Sequence, residues 1–225
     1  MNIVLFGPPG AGKGTQADNL VNEFNLIKIS TGELLRSEVE KKSELGNQIK
    51  SIIDSGSLIS DDIIDKLIEN LLSDSNSTNR IIFDGYPRNL NQAKNLDKIL
   101  KKNKQKISAV ISLNVEENLV IKRVMGREIC SKCGLTFNKF FKPSSDLHHK
   151  CDPKFLKKRA DDNENAIKKR FKIYVDETLP ILDYYKNQNL LTIINGMNKI
   201  DVIYEEIREF IASLKTWLCK MYLYK

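Results

Sequence analysis

The sequence predicts an α/β fold in which a parallel sheet of about five strands is flanked by helices. Short apolar runs alternate along the chain with segments of helical spacing, the pattern of βαβ units. The runs are apolar throughout rather than at every second residue, as in strands covered on both faces. A glycine-rich turn joins the first run to the first helical segment, so backbone N–H groups collect at the carboxyl end of that strand.

Asn2–Phe6 (NIVLF) ends at Gly7, as a buried strand would. Lys13–Phe24 places Ala17, Leu20, Val21 and Phe24 on one helical face. Residues 26–30 read as a second strand, with Ser30 or Thr31 capping the next helix and Glu33 in its first turn. Short helices are expected over 32–39, 45–54 and 61–72, a third strand over 80–84 and an amphipathic helix over 90–101. A strand over 108–113 and a helix over 116–125 follow. From 126 to 162 the chain is rich in Cys, Lys, Gly and Pro with weak periodicity, and reads as a separate insert. One long helix over 163–185, a fifth strand over 190–194 and a last helix over 200–214 complete the order, with the apolar stretch 217–224 as an extension of that helix. The expected division is a core of 1–30, 73–125 and 163–225, a helical insert of 31–72 and a second insert of 126–162.

With 225 residues and 41% hydrophobic side chains, the chain can bury a sizeable core and is not of the disordered class. Its apolar runs are too short to span a bilayer, and the expectation is a soluble cytoplasmic monomer without membrane contact. The net charge is +7, but the lysines are spread along the chain without interleaved aromatics, which argues against a nucleic-acid partner. Cys130, Cys133 and Cys151 cluster in the second insert, a pattern that suggests a metal before a disulfide, whereas Cys219 stands apart as an ordinary thiol.

The strongest motif is GPPGAGKGT, residues 7–15. It follows a strand and opens a helix, the context a phosphate-binding loop requires. Gly10, Ala11, Gly12 and Gly14 let backbone N–H groups turn toward phosphate oxygens, the helix start adds positive potential, and Lys13 reaches the outer phosphates. The hydroxyl follows Lys13 by two positions, at Thr15, rather than by one. Basic residues recur near strand ends and acidic pairs: Arg88, Arg123, Arg159 and Arg170 join Lys13 as candidates for neutralising a transferring phosphoryl group. Asp84 ends an apolar strand and is the candidate for holding the water shell of Mg²⁺.

The run GPPGAGKGTQ resembles the phosphate loop of the adenylate kinase family, a branch of the P-loop NTPase fold. STGELLR at 30–36 resembles that family's monophosphate-binding segment, DGYPR at 84–88 with Gln92 its second signature, and KRADD at 158–162 with Lys169 and Arg170 its lid-closing basic residues. The resemblance extends over essentially the whole chain. It implies Mg²⁺-dependent phosphoryl exchange between ATP and AMP, giving ADP. It makes 31–72 the AMP-binding segment and 126–162 a lid, both expected to close over substrates. It implies that Arg36 and Arg88 hold the AMP phosphate, that Thr31 and the backbone at Gly85 line the acceptor base, and that Gln92 reads it. Arg123 and Arg127 would contact ATP, Phe137 would lie beside its base, and Arg159 and Arg170 would swing in with the lid toward both nucleotides. Asp161 and Asp162 either orient those arginines, or meet the ATP ribose, or serve as first-turn charges of the following helix.

Relatives with a metal-bearing lid carry paired ligands two residues apart. Cys130 and Cys133 form one such pair, and Cys151 closes a second with His148, which gives a Cys₃His zinc set. His149 is the alternative imidazole. UMP/CMP kinases usually carry alanine and asparagine where this chain has Thr31 and Gln92, and have a short lid, so AMP is the expected acceptor. GTP in place of ATP and a non-catalytic nucleotide-binding module are the remaining alternatives.

Overall fold

The computed structural model describes residues 1–55, 57–73, 79–145 and 149–223, without the side chains of Leu45 and of 215–223. His148 and the side chain of Cys219 therefore lie outside the described residues. A parallel five-stranded sheet runs in the order β2-β3-β1-β4-β8. Its strands are β1 (Asn2–Phe6), β2 (Ile27–Ser30), β3 (Ile81–Asp84), β4 (Ile107–Asn114) and β8 (Leu191–Asn195).

Because successive strand residues point to opposite faces, β1 feeds two cores. Val4 and Phe6 pack with Ile81, Phe83 and Val110 under the helices of the first insert, while Ile3 and Leu5 pack with Ile82, Ile111 and Leu113 on the other face. The first core takes in α2 (Thr31–Glu40), α3 (Glu44–Asp54), α4 (Asp61–Ser73), α5 (Leu90–Lys102) and α8 (Leu179–Lys186). The second takes in α1 (Lys13–Phe24), α6 (Glu117–Met125) and α9 (Ile200–Leu223). Every residue of β1 is buried, which is why its apolar run is unbroken. No described helix is long and apolar enough to cross a membrane.

The second insert forms its own antiparallel sheet in the order β6-β5-β7, from β5 (Arg127–Cys130), β6 (Thr136–Asn138) and β7 (Leu156–Lys157). The long helix expected over 163–185 is interrupted. α7 (Glu164–Ile173) gives way to a π-helical turn over Tyr174–Thr178 before α8 begins. Pro180 stands at the start of α8 and has no N–H for the carbonyl four residues earlier, so the α ladder cannot run through.

Candidate active site

The two inserts and the carboxyl ends of β1 and β3 enclose one cleft of about 360 Å³. Its floor is the glycine-rich loop. Gly12 caps α1 at φ 99°, no side chain caps that helix, and no acidic residue stands in its first turn. Ser43, Asn89 and Asn163 do cap α3, α5 and α7. The start of α1 thus leaves its orphan N–H groups and positive dipole end open to an anion. A side chain at Gly12 would meet nothing within 4 Å of its Cβ, because it would project into that space. Lys13 folds back over the loop, donating to the carbonyls of Gly7 (2.7 Å) and Pro8 (3.0 Å).

Lys13, Arg36, Arg88, Arg123, Arg127, Arg159 and Arg170 all reach this cleft, with Gly10, Ala11, Gly12, Gly14, Thr15, Gly85, Asp84 and Phe137. All the expected phosphoryl-transfer residues are therefore brought together, from strand ends, the two inserts, α6 and α7. Burial lowers the Lys13 pKa to about 8, with Asp84 acting against the shift and Arg88 and Arg127 adding to it. Burial also depresses Arg88, with Arg170 as the next contributor, and lowers Arg159 to about 10, with Arg127 and Arg36 adding to the effect. Each shift has the sign of cations crowded together and stripped of water, a state that an anion between them would relieve. Arg159 Nε is buried with no hydrogen-bond partner among the described residues, which suits a donor awaiting a ligand oxygen.

The acidic pair before α7 orients these arginines. Asp162 takes Arg127 in a two-point ion pair, Nε to Oδ2 at 2.7 Å and Nη2 to Oδ1. Asp161 accepts from Arg170 Nη1 at 2.8 Å. Burial would raise the Asp161 carboxyl, but Arg170 overrides it and holds the group below its ordinary value. Of the readings of this pair, orientation of the arginines is the one with contacts. Arg170 Nη2 also donates to the Ile53 carbonyl at 2.9 Å, joining α7 to the first insert.

Three expected contacts differ. Thr31 and Gln92 are not on the cleft wall. The Thr31 hydroxyl donates to the Gly85 carbonyl at 2.8 Å. The Gln92 amide, 2% exposed, accepts from the Arg88 N–H at 2.8 Å and donates to Asp61 Oδ1 at 2.7 Å. At Gly85, with φ 78°, a Cβ would lie 3.1 Å from Thr31 Oγ1 and 3.3 Å from Arg88 Nη2, close quarters that favour a bare backbone there. Phe137 reaches the cleft, but its ring is 2% exposed and packs on His149 with centroids 4.6 Å apart. The open ring is Phe141, which sequence reasoning missed. It is 42% exposed, with the Arg123 guanidinium 5.7 Å from its centroid. A second aromatic four residues after Phe137 was the available signal. Arg123 itself is anchored through Nη1 to the carbonyls of Gly196 (2.8 Å) and Ala11 (3.2 Å).

Among the described residues the imidazole beside the three thiols is His149, the alternative named from the sequence; His148 lies outside them. The ligand atoms of Cys130, Cys133, His149 and Cys151 all lie within 4.8 Å of one another, and Cys133 Sγ is 3.4 Å from His149 Nε2. The His149 ring also packs on Phe137, with centroids 4.6 Å apart. The cluster lies outside the phosphate cleft; none of its four members lines that space.

The sequence model of the adenylate kinase family matches residues 5–190. The chain is 44% identical over 211 residues to an adenylate kinase of Pelagibacter ubique, covering 94% of this chain and 99% of that protein. It is 41% identical over 217 residues to an adenylate kinase of Methanothrix thermoacetophila, covering 96% and 100%. An adenylate kinase of Clostridioides difficile is 38% identical over 217 residues, with 96% and 100% covered. Matches of that extent, over a chain whose glycine loop and arginines converge on one cleft, make it a member of the adenylate kinase family.

Proposed function

We propose that this protein moves a phosphoryl group reversibly between ATP and AMP to give two ADP, with ATP bound as its Mg²⁺ complex. The observation that carries this reading is the convergence of Lys13 and the cleft arginines around space left open for anions, with Arg159 Nε unpaired at its edge. Phosphoryl transfer asks the protein for little covalent chemistry; it needs two oxygens held in line and charge neutralised at the moving group. Lys13 and the open start of α1 hold the donor phosphates, Arg36 and Arg88 hold the acceptor phosphate, and Arg123, Arg159 and Arg170 face the group in transit. Arg123 and Phe141 form the wall assigned to the donor base. The Asp84 carboxylate fits the magnesium role, because Oδ2 lies only 3.5 Å from where a Gly14 side chain would begin and oxygen donors suit this ion. Magnesium supplies charge neutralisation on the donor phosphates. A matrix of nucleoside triphosphates against monophosphates, assayed with magnesium for diphosphate formation, tests the assignment. ATP with AMP should lead it; GTP with AMP, or ATP with UMP or CMP, in first place would refute it, as would tight ATP binding without turnover.

Gln92 is the side chain assigned to the acceptor base. Its committed bonds still leave one N–H and one lone pair, the complement of adenine's N1 and amino edge. Burial means that the base meets it only after the 31–72 insert shifts. Gln92→Asn should relax AMP preference toward pyrimidine monophosphates, and an unchanged AMP/CMP selectivity removes Gln92 from the acceptor site.

The Cys₃His cluster is assigned a structural zinc, because thiolate and imidazole donors in a set of four suit tetrahedral Zn²⁺ and leave no open position for catalysis. The lid sheet has short strands and exposes Leu135, Phe140 and Phe141, so its own core is small and a metal holds its shape. Metal analysis should give about one zinc per chain. Chelation, or Cys133→Ser, should lower Tm more than it lowers activity at low temperature. His149→Ala should release zinc while His148→Ala melts like the parent; the reverse pattern would return the fourth position to His148.

A further inference from the structure

The acceptor arginine is held by more than its own contacts, and one of the groups holding it belongs to the interrupted helix. Arg88 lies between β3 and α5, where no strand neighbour pairs its backbone. Its N–H donates to Gln92 Oε1 at 2.8 Å, and its Nε donates to the Gly85 carbonyl at 2.8 Å. Its carbonyl oxygen accepts from Thr178 Oγ1 at 2.8 Å. Thr178 is the last residue of the π-helical turn and is 7% exposed.

The turn accounts for that contact. The Leu179 N–H donates to the Tyr174 carbonyl five residues back, so one residue more than an α-turn holds is spent there. Each extra residue rotates the following face by about 100°. In a regular helix a threonine hydroxyl commonly donates to the carbonyl three or four residues earlier on its own helix. Here the hydroxyl reaches across to a different segment and satisfies a carbonyl that has no ladder partner.

We infer that Thr178 is a positioning residue for phosphoryl transfer: its hydroxyl, presented by the π-helical turn, fixes the Arg88 backbone and thereby aims the Arg88 guanidinium at the acceptor phosphate. The inference rests on Arg88 holding that phosphate. Thr178 acts through Arg88 and donates no bond to the transferring group. Since Tyr174 and Ile173 of the same segment line the cleft, a shift of this turn also moves the acceptor wall.

Thr178→Val removes the hydroxyl at nearly constant shape, and Thr178→Ser keeps it. Losing a neutral hydrogen bond and leaving a buried carbonyl unmet corresponds to a fall of about tenfold in kcat/KM for AMP. ATP affinity should stay close to the parent, Tm should fall by only about a few degrees, and Thr178→Ser should recover most of both losses. Thr178→Ala provides the same deletion should the valine fail to fold. In an Arg88→Lys background, adding Thr178→Val should cost less than about twofold, because the group being positioned is already gone. A full tenfold loss in that background would overturn the inference, as would equal losses in the valine and serine variants, an equal fall in ATP affinity, or no loss at all. An Arg88→Lys enzyme with unchanged AMP dependence would instead overturn the acceptor role of Arg88, and this inference with it.

Discussion

Lys13→Met is expected to fold like the parent and to lose about 10²–10³-fold in kcat, the range seen when one preorganised charge is removed from a transition state. The structure says why this lysine is costly to replace. Its ammonium is buried in the glycine loop and, among the described residues, is held by two neutral carbonyls, so no carboxylate there has to be displaced when a phosphate arrives. The same burial predicts a pH signature. With a folded-state pKa of about 8 against an ordinary 10.5, Lys13 loses its proton in the free enzyme before it would in the unfolded chain. The unfolded state then binds more protons between those two values, so this group makes the free protein more stable as pH rises through that window. ATP binding runs the other way. The phosphates favour the charged form, so affinity should decline above about pH 8, by up to tenfold per pH unit. Titrations of ATP binding from neutral to alkaline pH should show the decline in the parent and a flatter profile in Lys13→Met. A variant that keeps more than half its kcat would remove Lys13 from the site.

The second large effect is at Arg88. Arg88→Lys keeps the charge but gives up the planar fork, and we expect a loss of about a hundredfold in kcat/KM for AMP, some 2.7 kcal/mol. The loss has a structural basis on both sides of the residue. The Arg88 Nε is already spent on the Gly85 carbonyl, which leaves the terminal nitrogens in a fixed orientation toward the cleft. A lysine ammonium in that place would face the same desolvation and the same repulsion from Arg170 and Arg36 that depress Arg88, and unlike a guanidinium it can shed its proton. ATP affinity measured without AMP should change little. An unchanged AMP dependence would mean that Arg88 does not touch the acceptor.

The parallel sheet and its five strands were legible because each strand is a continuous apolar run with a turn signal behind it, and each edge fell within a residue or two of expectation. The glycine loop was legible because strand, glycines, Lys13 and helix are contiguous. Pro180 marked the break in the long helix, but an otherwise regular helical pattern around it concealed the signal; beyond the break α8 packs against α5 and β8.

Taken by itself, the amino-acid sequence determined which chemistry is present: the phosphate loop, the arginines, Asp84 and three clustered thiols are all named by residue type and local spacing. Tertiary structure alone decided which of those groups meet. It brought His149 to the thiols with its ring against Phe137, turned Thr31 onto the Gly85 carbonyl and Gln92 onto Arg88 and Asp61 instead of onto the cleft wall, and exposed Phe141 beside Arg123. It also brought Thr178 to the carbonyl of Arg88, a residue 90 positions away. The physical reason is range. Periodicity and motif spacing report bonds between near neighbours in the chain, whereas the direction of a buried side chain follows from the packing and hydrogen-bond partners that distant segments supply.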